Sequence, residues 1–283
     1  MIDTDVRLNL LVAYPYLIST PDTLRSVEAN QDKVRFLIDC GAFTAWKAGK
    51  PIELNDYCRF IEALLFRPWR YFALDVIGDP EGTRRNYETM LARGLSPVPI
   101  FTRGEAIDEL DRYYETSDLV GIGGLVGTQG NRGFVRGIME RVGTRRVHWL
   151  GFTNPSFLKA YRPHICDSSS WEGGARFGQA RLYLGGGKLV AFNREVVQGG
   201  IPPHYASALR RLGFDPGAFQ CESAWRGGES QSRRLGAASY VAFSLDAQRH
   251  IGTLVFMALA SNYANALLAA YGRLAPLYQG PTP

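Results

Sequence analysis

From Leu8 to about residue 170, short apolar runs alternate with amphipathic stretches. Apolar runs of a few residues bounded by turn residues read as strands, and longer stretches with apolar positions three or four apart read as helices. The strands so predicted are Leu8–Tyr14, Arg35–Cys40, Tyr71–Val76, Pro97–Thr102, Leu119–Leu125, Val147–Phe152 and Ile165–Ser168. The helices are Thr20–Ala29, Leu54–Leu65, Pro80–Arg93, Glu105–Thr116, Arg132–Arg141 and Pro155–Tyr161. Asp79-Pro80-Glu81 and Thr20-Pro21-Asp22 each place a capping oxygen before a first-turn proline, and Gly94 closes the helix ending at Arg93. Seven such alternations predict a parallel sheet, and an α/β chain of the (β/α)8 TIM-like barrel type. A doubly wound open sheet is the alternative, but no GxGxxG follows the first strand.

After Trp171 the alternation gives way to glycine-rich segments: Gly173-Gly174, Gly185-Gly186-Gly187, Gly199-Gly200 and Gly227-Gly228. Residues 173–283 are therefore expected to hold the last barrel elements and an irregular insertion. A long C-terminal helix, roughly Ser244–Leu274 and open to a break near Gly252, is expected to close the chain. The longest apolar run, Ile251–Leu268, is interrupted by Ser261, Asn262 and Asn265 and reads as part of that buried helix, not as a membrane span. The whole of 1–283 reads as one domain.

Composition changes this picture little. Hydrophobic and charged residues make up 46% and 21% of the chain, ordinary for a globular protein. Acidic Asp3 and Asp5 at the start do not suit a signal peptide. The four cysteines show no zinc-ligand spacing, so reduced thiols in a cytoplasm, no metal and no cofactor are expected. Charge is more informative: residues 151–283 carry 13 Lys and Arg against 7 Asp and Glu, whereas residues 1–150 are almost balanced. Arginine supplies 27 of the 32 basic residues. A guanidinium fork suits phosphate, so this part is compatible with a polynucleotide, although a GC-rich genome, which replaces Lys by Arg throughout, would give the same bias.

Two carboxylates stand out. Asp39 closes Phe36-Leu37-Ile38 and opens into Cys40-Gly41-Ala42-Phe43; Asp167 closes Ile165-Cys166 and opens into Ser168-Ser169-Ser170-Trp171. Carboxylates at the C-terminal ends of parallel strands lie where barrels place chemistry. A pair of them serves a double displacement at a sugar carbon, one attacking and the other moving protons. Each could instead cap the following turn. Asp75, near the end of the third strand, and the glycines of Gly121-Ile122-Gly123-Gly124-Leu125 extend the set. Glycine lets a flat ligand approach backbone closely; Phe43 could stack on it, and one carboxylate can accept the adjacent N–H donors of guanine. Asp79 reads as a cap.

In order and spacing, four motifs over residues 35–178 resemble the tRNA-guanine transglycosylase superfamily. Asp39-Cys40-Gly41-Ala42-Phe43 is similar to the segment that carries the proton-transferring Asp and a base-stacking aromatic. Ile122-Gly123-Gly124-Leu125 looks like the segment whose backbone meets the base, and Asp75 falls where the base-recognising Asp sits. Asp167 with the loop to Gly178 resembles the nucleophile strand and its glycine-containing loop. The family's zinc-binding cysteines and a GIVQGG segment are absent, Pro97-Val98-Pro99-Ile100-Phe101-Thr102 standing in place of the latter. These departures resemble the short DpdA-like enzymes of phages and bacteria, which exchange guanine in DNA for a 7-deazaguanine such as 7-cyano-7-deazaguanine.

The resemblance thus implies a DNA base-exchange transferase in a bacterial or phage-host cytoplasm, with DNA, guanine and a free deazaguanine as partners and no membrane; a homodimer stays open. Asp167 and Asp39 would be catalytic, and Asp75, Phe43, Gly123 and Gly124 base-binding. Arg176, Arg181, Arg226, Arg233 and Arg234 are the expected phosphate contacts. A tRNA-directed enzyme, a non-catalytic nucleic-acid-binding partner and an unrelated sugar hydrolase remain alternatives at this stage.

Overall fold

The computed structural model describes residues 5–125, 132–172, 178–227, 230–259 and 263–278. The first strands and helices are β1 (Leu8–Ala13), α1 (Tyr14–Ser19), α2 (Pro21–Glu28), β2 (Val34–Asp39), α3 (Ala42–Lys47) and α4 (Leu54–Glu62). They are followed by β3 (Arg70–Tyr71), α5 (Pro80–Ala92), β4 (Ile100–Phe101), α6 (Ile107–Thr116), β5 (Leu119–Ile122) and α7 (Arg132–Val142). Next come β6 (Arg146–Trp149), α8 (Pro155–Tyr161) and β7 (Ile165–Ser168). An insertion then carries an antiparallel hairpin, β8 (Gln179–Tyr183) and β9 (Leu189–Asn193), with α9 (Arg194–Gln198) and α10 (Pro203–Arg211). The chain ends with α11 (Gln231–Ile251), β10 (Leu254–Leu259) and α12 (Ala264–Leu274).

Eight of these strands form one parallel sheet in the order β3-β2-β1-β10-β7-β6-β5-β4. The sheet curls in the TIM-like manner. Its ladder is open between β3 and β4, where one parallel bridge pairs Phe72 with Val98. Ala73 N–H donates to Val98 O at 2.9 Å and Val98 N–H to Tyr71 O at 2.8 Å. This single bridge explains why the regular strands there are shorter than Tyr71–Val76 and Pro97–Thr102.

Alternation along each strand sorts its side chains to two sides. Leu10, Val12, Phe36, Ile38, Val120, Val147, Trp149, Val255 and Met257 join the helices in the larger core. Leu11, Leu37, Phe72, Val98, Ile100, Leu119, Ile165, Leu254 and Phe256 fill a separate inner cluster. The inner parity on β2 is shared by Arg35 and Asp39, and on β7 by Asp167. Arg35, 2% exposed, donates to Asn9 Oδ1 at 3.1 Å on the neighbouring strand, so a buried charge is satisfied near the strand starts.

Of the two predicted side-chain caps, one forms. Asp79 accepts from Gly82 N–H at 2.9 Å and caps α5 as expected. Thr20 makes no side-chain cap bond to α2; the fixed φ of Pro21 starts that helix without it.

The long C-terminal helix is a correction. The helix is α11, which starts at Gln231 and ends at Gly252, where φ is +78°. Leu254–Leu259 is instead a strand, inserted between β1 and β7. A strand covered on both faces is as continuously apolar as a buried helix, so periodicity alone does not separate them. The left-handed residue at Gly252 suits glycine and ends the helix. Among the described residues no helix is long and apolar enough to cross a membrane.

Candidate active site

Asp39 and Asp167 lie at the C-terminal ends of β2 and β7, and Asp75 lies in the segment that follows β3. Asp39 Oδ2 accepts from Gly41 N–H at 3.0 Å. Burial first, and then the charges of Asp167 and Asp75, raise its pKa from 3.8 to about 7. These couplings place Asp167 and Asp75 each within electrostatic reach of Asp39, although the chain brings them from distant segments.

Gly41 makes this corner possible. Its φ is +80°, and a Cβ there would lie 2.3 Å from Pro15 Cδ. Gly41→Ala is expected to lower stability by about 2–4 kcal/mol, about 1–2 of it from the left-handed backbone and the rest from overpacking. A urea melt measures this. An unchanged midpoint would mean that the turn does not hold its left-handed form against Pro15.

Asp167 is 7% exposed. Its Oδ1 accepts from Gly151 N–H at 3.0 Å and pairs with His148 Nε2 at 2.8 Å. Sequence reasoning missed both partners. His148 stands within the predicted strand Val147–Phe152, and its only signal was a polar residue at an inward position of an apolar run.

Asp75 is held differently. Thr83 Oγ1 donates to its Oδ1 at 2.8 Å and accepts from Val76 N–H at 2.8 Å. Burial raises the Asp75 pKa, and the Thr83 bond partly offsets this. The residue lines a pocket of about 290 Å³ together with Leu74, Ile77, Asn86, Trp46 and Ile52. Neither Asp39 nor Asp167 lines that pocket.

Phe43 lies on α3, directly beyond Asp39, and is 56% exposed. Trp46 stacks beside it with ring centroids 6.1 Å apart, and Lys47 Nζ lies 4.3 Å over its ring. A ligand stacking on the lysine-covered face would have to displace Lys47. Gly123 gives its N–H to Phe101 O at 2.9 Å, so that donor already serves the sheet. Gly124 has φ +70° and comes close to Arg103, where a Cβ would be 2.8 Å from the Arg103 Cβ.

The basic residues divide. Arg176 and the glycines 173–174 lie outside the described residues. Arg226, exposed, is ion-paired with Glu222. Arg233 bonds the Tyr263 hydroxyl and lies 4.2 Å over that ring. Arg234 is exposed in the first turn of α11, while Arg181 is half-buried on β8. Because α11 leads into the start of β10, its own beginning lies toward the strand C-termini, where Arg233 meets Tyr263 beyond β10, so Arg233 and Arg234 are on the side of Asp39 and Asp167.

Among the described residues no group of three His, Cys, Asp or Glu could hold a metal ion. Comparison with protein-family models and with curated proteins gives no match to this chain.

Proposed function

We propose that this protein is a base-exchange glycosyltransferase that replaces guanine in DNA by a 7-deazaguanine. The observation that carries the reading is the grouping of Asp39 and Asp167 at strand C-termini, the first with its pKa near 7 and the second held by the Gly151 N–H and by His148 Nε2. A residue half protonated at neutral pH suits proton transfer in both directions, and an anchored carboxylate suits nucleophilic attack. The curled parallel sheet supports a (β/α)8 barrel of the transglycosylase type, in which these strand ends form the mouth.

In the first half-reaction an Asp167 oxygen bonds to C1′ of a deoxyguanosine as the C1′–N9 bond breaks. The electron pair goes to the departing guanine, which takes a proton from Asp39. In the second, Asp39 removes the N9 proton of the incoming deazaguanine, whose nitrogen attacks C1′ and releases the Asp167 carboxylate. Asp75 accepts N–H donors of either base, and Phe43 flanks it. The duplex hides C1′, so the target nucleotide is flipped out or single-stranded. Arg226 and Arg234 contact flanking phosphates, for which exchange of the exposed Arg226–Glu222 pair costs little.

Incubation with labelled guanine and either DNA or tRNA tests the proposal. Label should enter DNA and be chased out by 7-cyano-7-deazaguanine. Label entering tRNA alone would move the substrate to RNA, and label entering neither would remove the transglycosylase reading.

A further inference from the structure

We propose that His148 is the positioning residue of the nucleophile and that it selects Asp167 Oδ2 as the attacking atom; this rests on the function proposed above. His148 is fully buried on β6, its Nε2 2.8 Å from Asp167 Oδ1. The same oxygen accepts from Gly151 N–H at 3.0 Å. Phe72 meets the imidazole ring nearly perpendicularly at 5.0 Å, and Phe256 lies tilted at 6.4 Å. Its Nδ1 is buried and has no hydrogen-bond partner among the described residues.

These contacts decide the tautomer. With the proton on Nδ1, an N–H would be buried without an acceptor while the Nε2 lone pair faced a carboxylate oxygen; both are unfavourable. With the proton on Nε2, the ring donates to Asp167 and leaves only a lone pair toward the apolar wall. Two donors then occupy Oδ1, and the carboxylate is fixed against rotation. Oδ2 is the oxygen left to form the bond to C1′. In the covalent ester Oδ2 bridges to the sugar and Oδ1 becomes the carbonyl oxygen with both donors still in place. As the incoming base displaces the carboxylate, those donors meet the returning negative charge.

Two measurements on the full chain test the assignment. Nitrogen-15 NMR of histidine-labelled protein should show the Nε2–H tautomer for His148, identified by its loss in His148→Gln. An Nδ1–H tautomer would overturn the proposal whatever reaction the protein catalyses. Single-turnover formation of the covalent protein–DNA adduct should slow about 100-fold in His148→Phe, the cost of a misplaced reacting group, with guanine affinity unchanged. His148→Gln, whose side-chain amide can place an N–H near the Nε2 position, should recover at least about tenfold of that loss. A Phe variant as fast as wild type, or a Gln variant no faster than Phe, overturns the positioning role. Wild-type protein forming no adduct with either DNA or tRNA would sink the transglycosylase reading, and the attacking-oxygen assignment with it.

Discussion

Asp167→Asn is expected to abolish base exchange, by about 10⁴-fold or more, while leaving the fold and base binding intact. The magnitude is that of removing a nucleophile from a covalent mechanism. Geometry makes the substitution clean. Asp167 Oδ1 accepts both the Gly151 N–H and the His148 bond, and an Asn carbonyl oxygen can accept the same two. The new amide nitrogen then falls at the Oδ2 position, where it has neither the charge nor the free lone pair to attack C1′. Adduct trapping on a denaturing gel and a thermal melt together check this. Wild-type exchange in Asp167→Asn would refute the nucleophile, and Glu172 and Asp75 would be tested next.

Asp39 should produce the second large effect, and its pH dependence has a definite sign. Burial, and behind it the Asp167 charge, hold its pKa near 7. Guanine release needs the protonated acid, so its single-turnover rate should fall about tenfold per pH unit above 7. Once Asp167 is an ester it carries no charge, and one cause of the raised pKa is gone. Asp39 should then ionise at lower pH, so capture of the deazaguanine keeps its rate below pH 7. Asp39→Asn should lower guanine release about 10²–10⁴-fold and remove the limb near pH 7. Separate pH–rate profiles for the two half-reactions measure this; identical profiles would show that Asp39 does not move the proton.

The same raised pKa bears on stability. Between about pH 4 and pH 7 folded Asp39 binds a proton that the unfolded chain has released. Its favourable contribution is therefore complete below about pH 4 and is lost as pH rises through 7. This carboxylate weakens the fold at alkaline pH, as expected of a site that stores an unfavourable charge for function.

Much of the fold was legible because the signals were local. Asp79 and Pro80 start α5 through one side chain and one fixed dihedral. β2 ends at Asp39 and β7 one residue beyond Asp167, where the turn residues begin. That those carboxylates serve one site was read from their strand-end positions and from the resemblance together. Phe43 was expected in the turn after Asp39 as a stacking aromatic, but its stacking with Trp46 and the lysine over its face arise from the six-residue helix α3, which the pattern does not indicate.

By itself the sequence determined which segments are buried, where chain direction changes, and that carboxylates stand at strand ends, since each depends on periodicity and neighbouring turn residues. Only the tertiary structure decided that Leu254–Leu259 is a strand. The edges of β1 and β7 leave rows of backbone donors and acceptors that a strand between them satisfies, and no local pattern records that demand. Tertiary structure also decided the chemistry of the carboxylates. The pKa of Asp39 near 7 and the His148–Asp167 bond depend on desolvation and strand register, which exist only once distant segments share one interior.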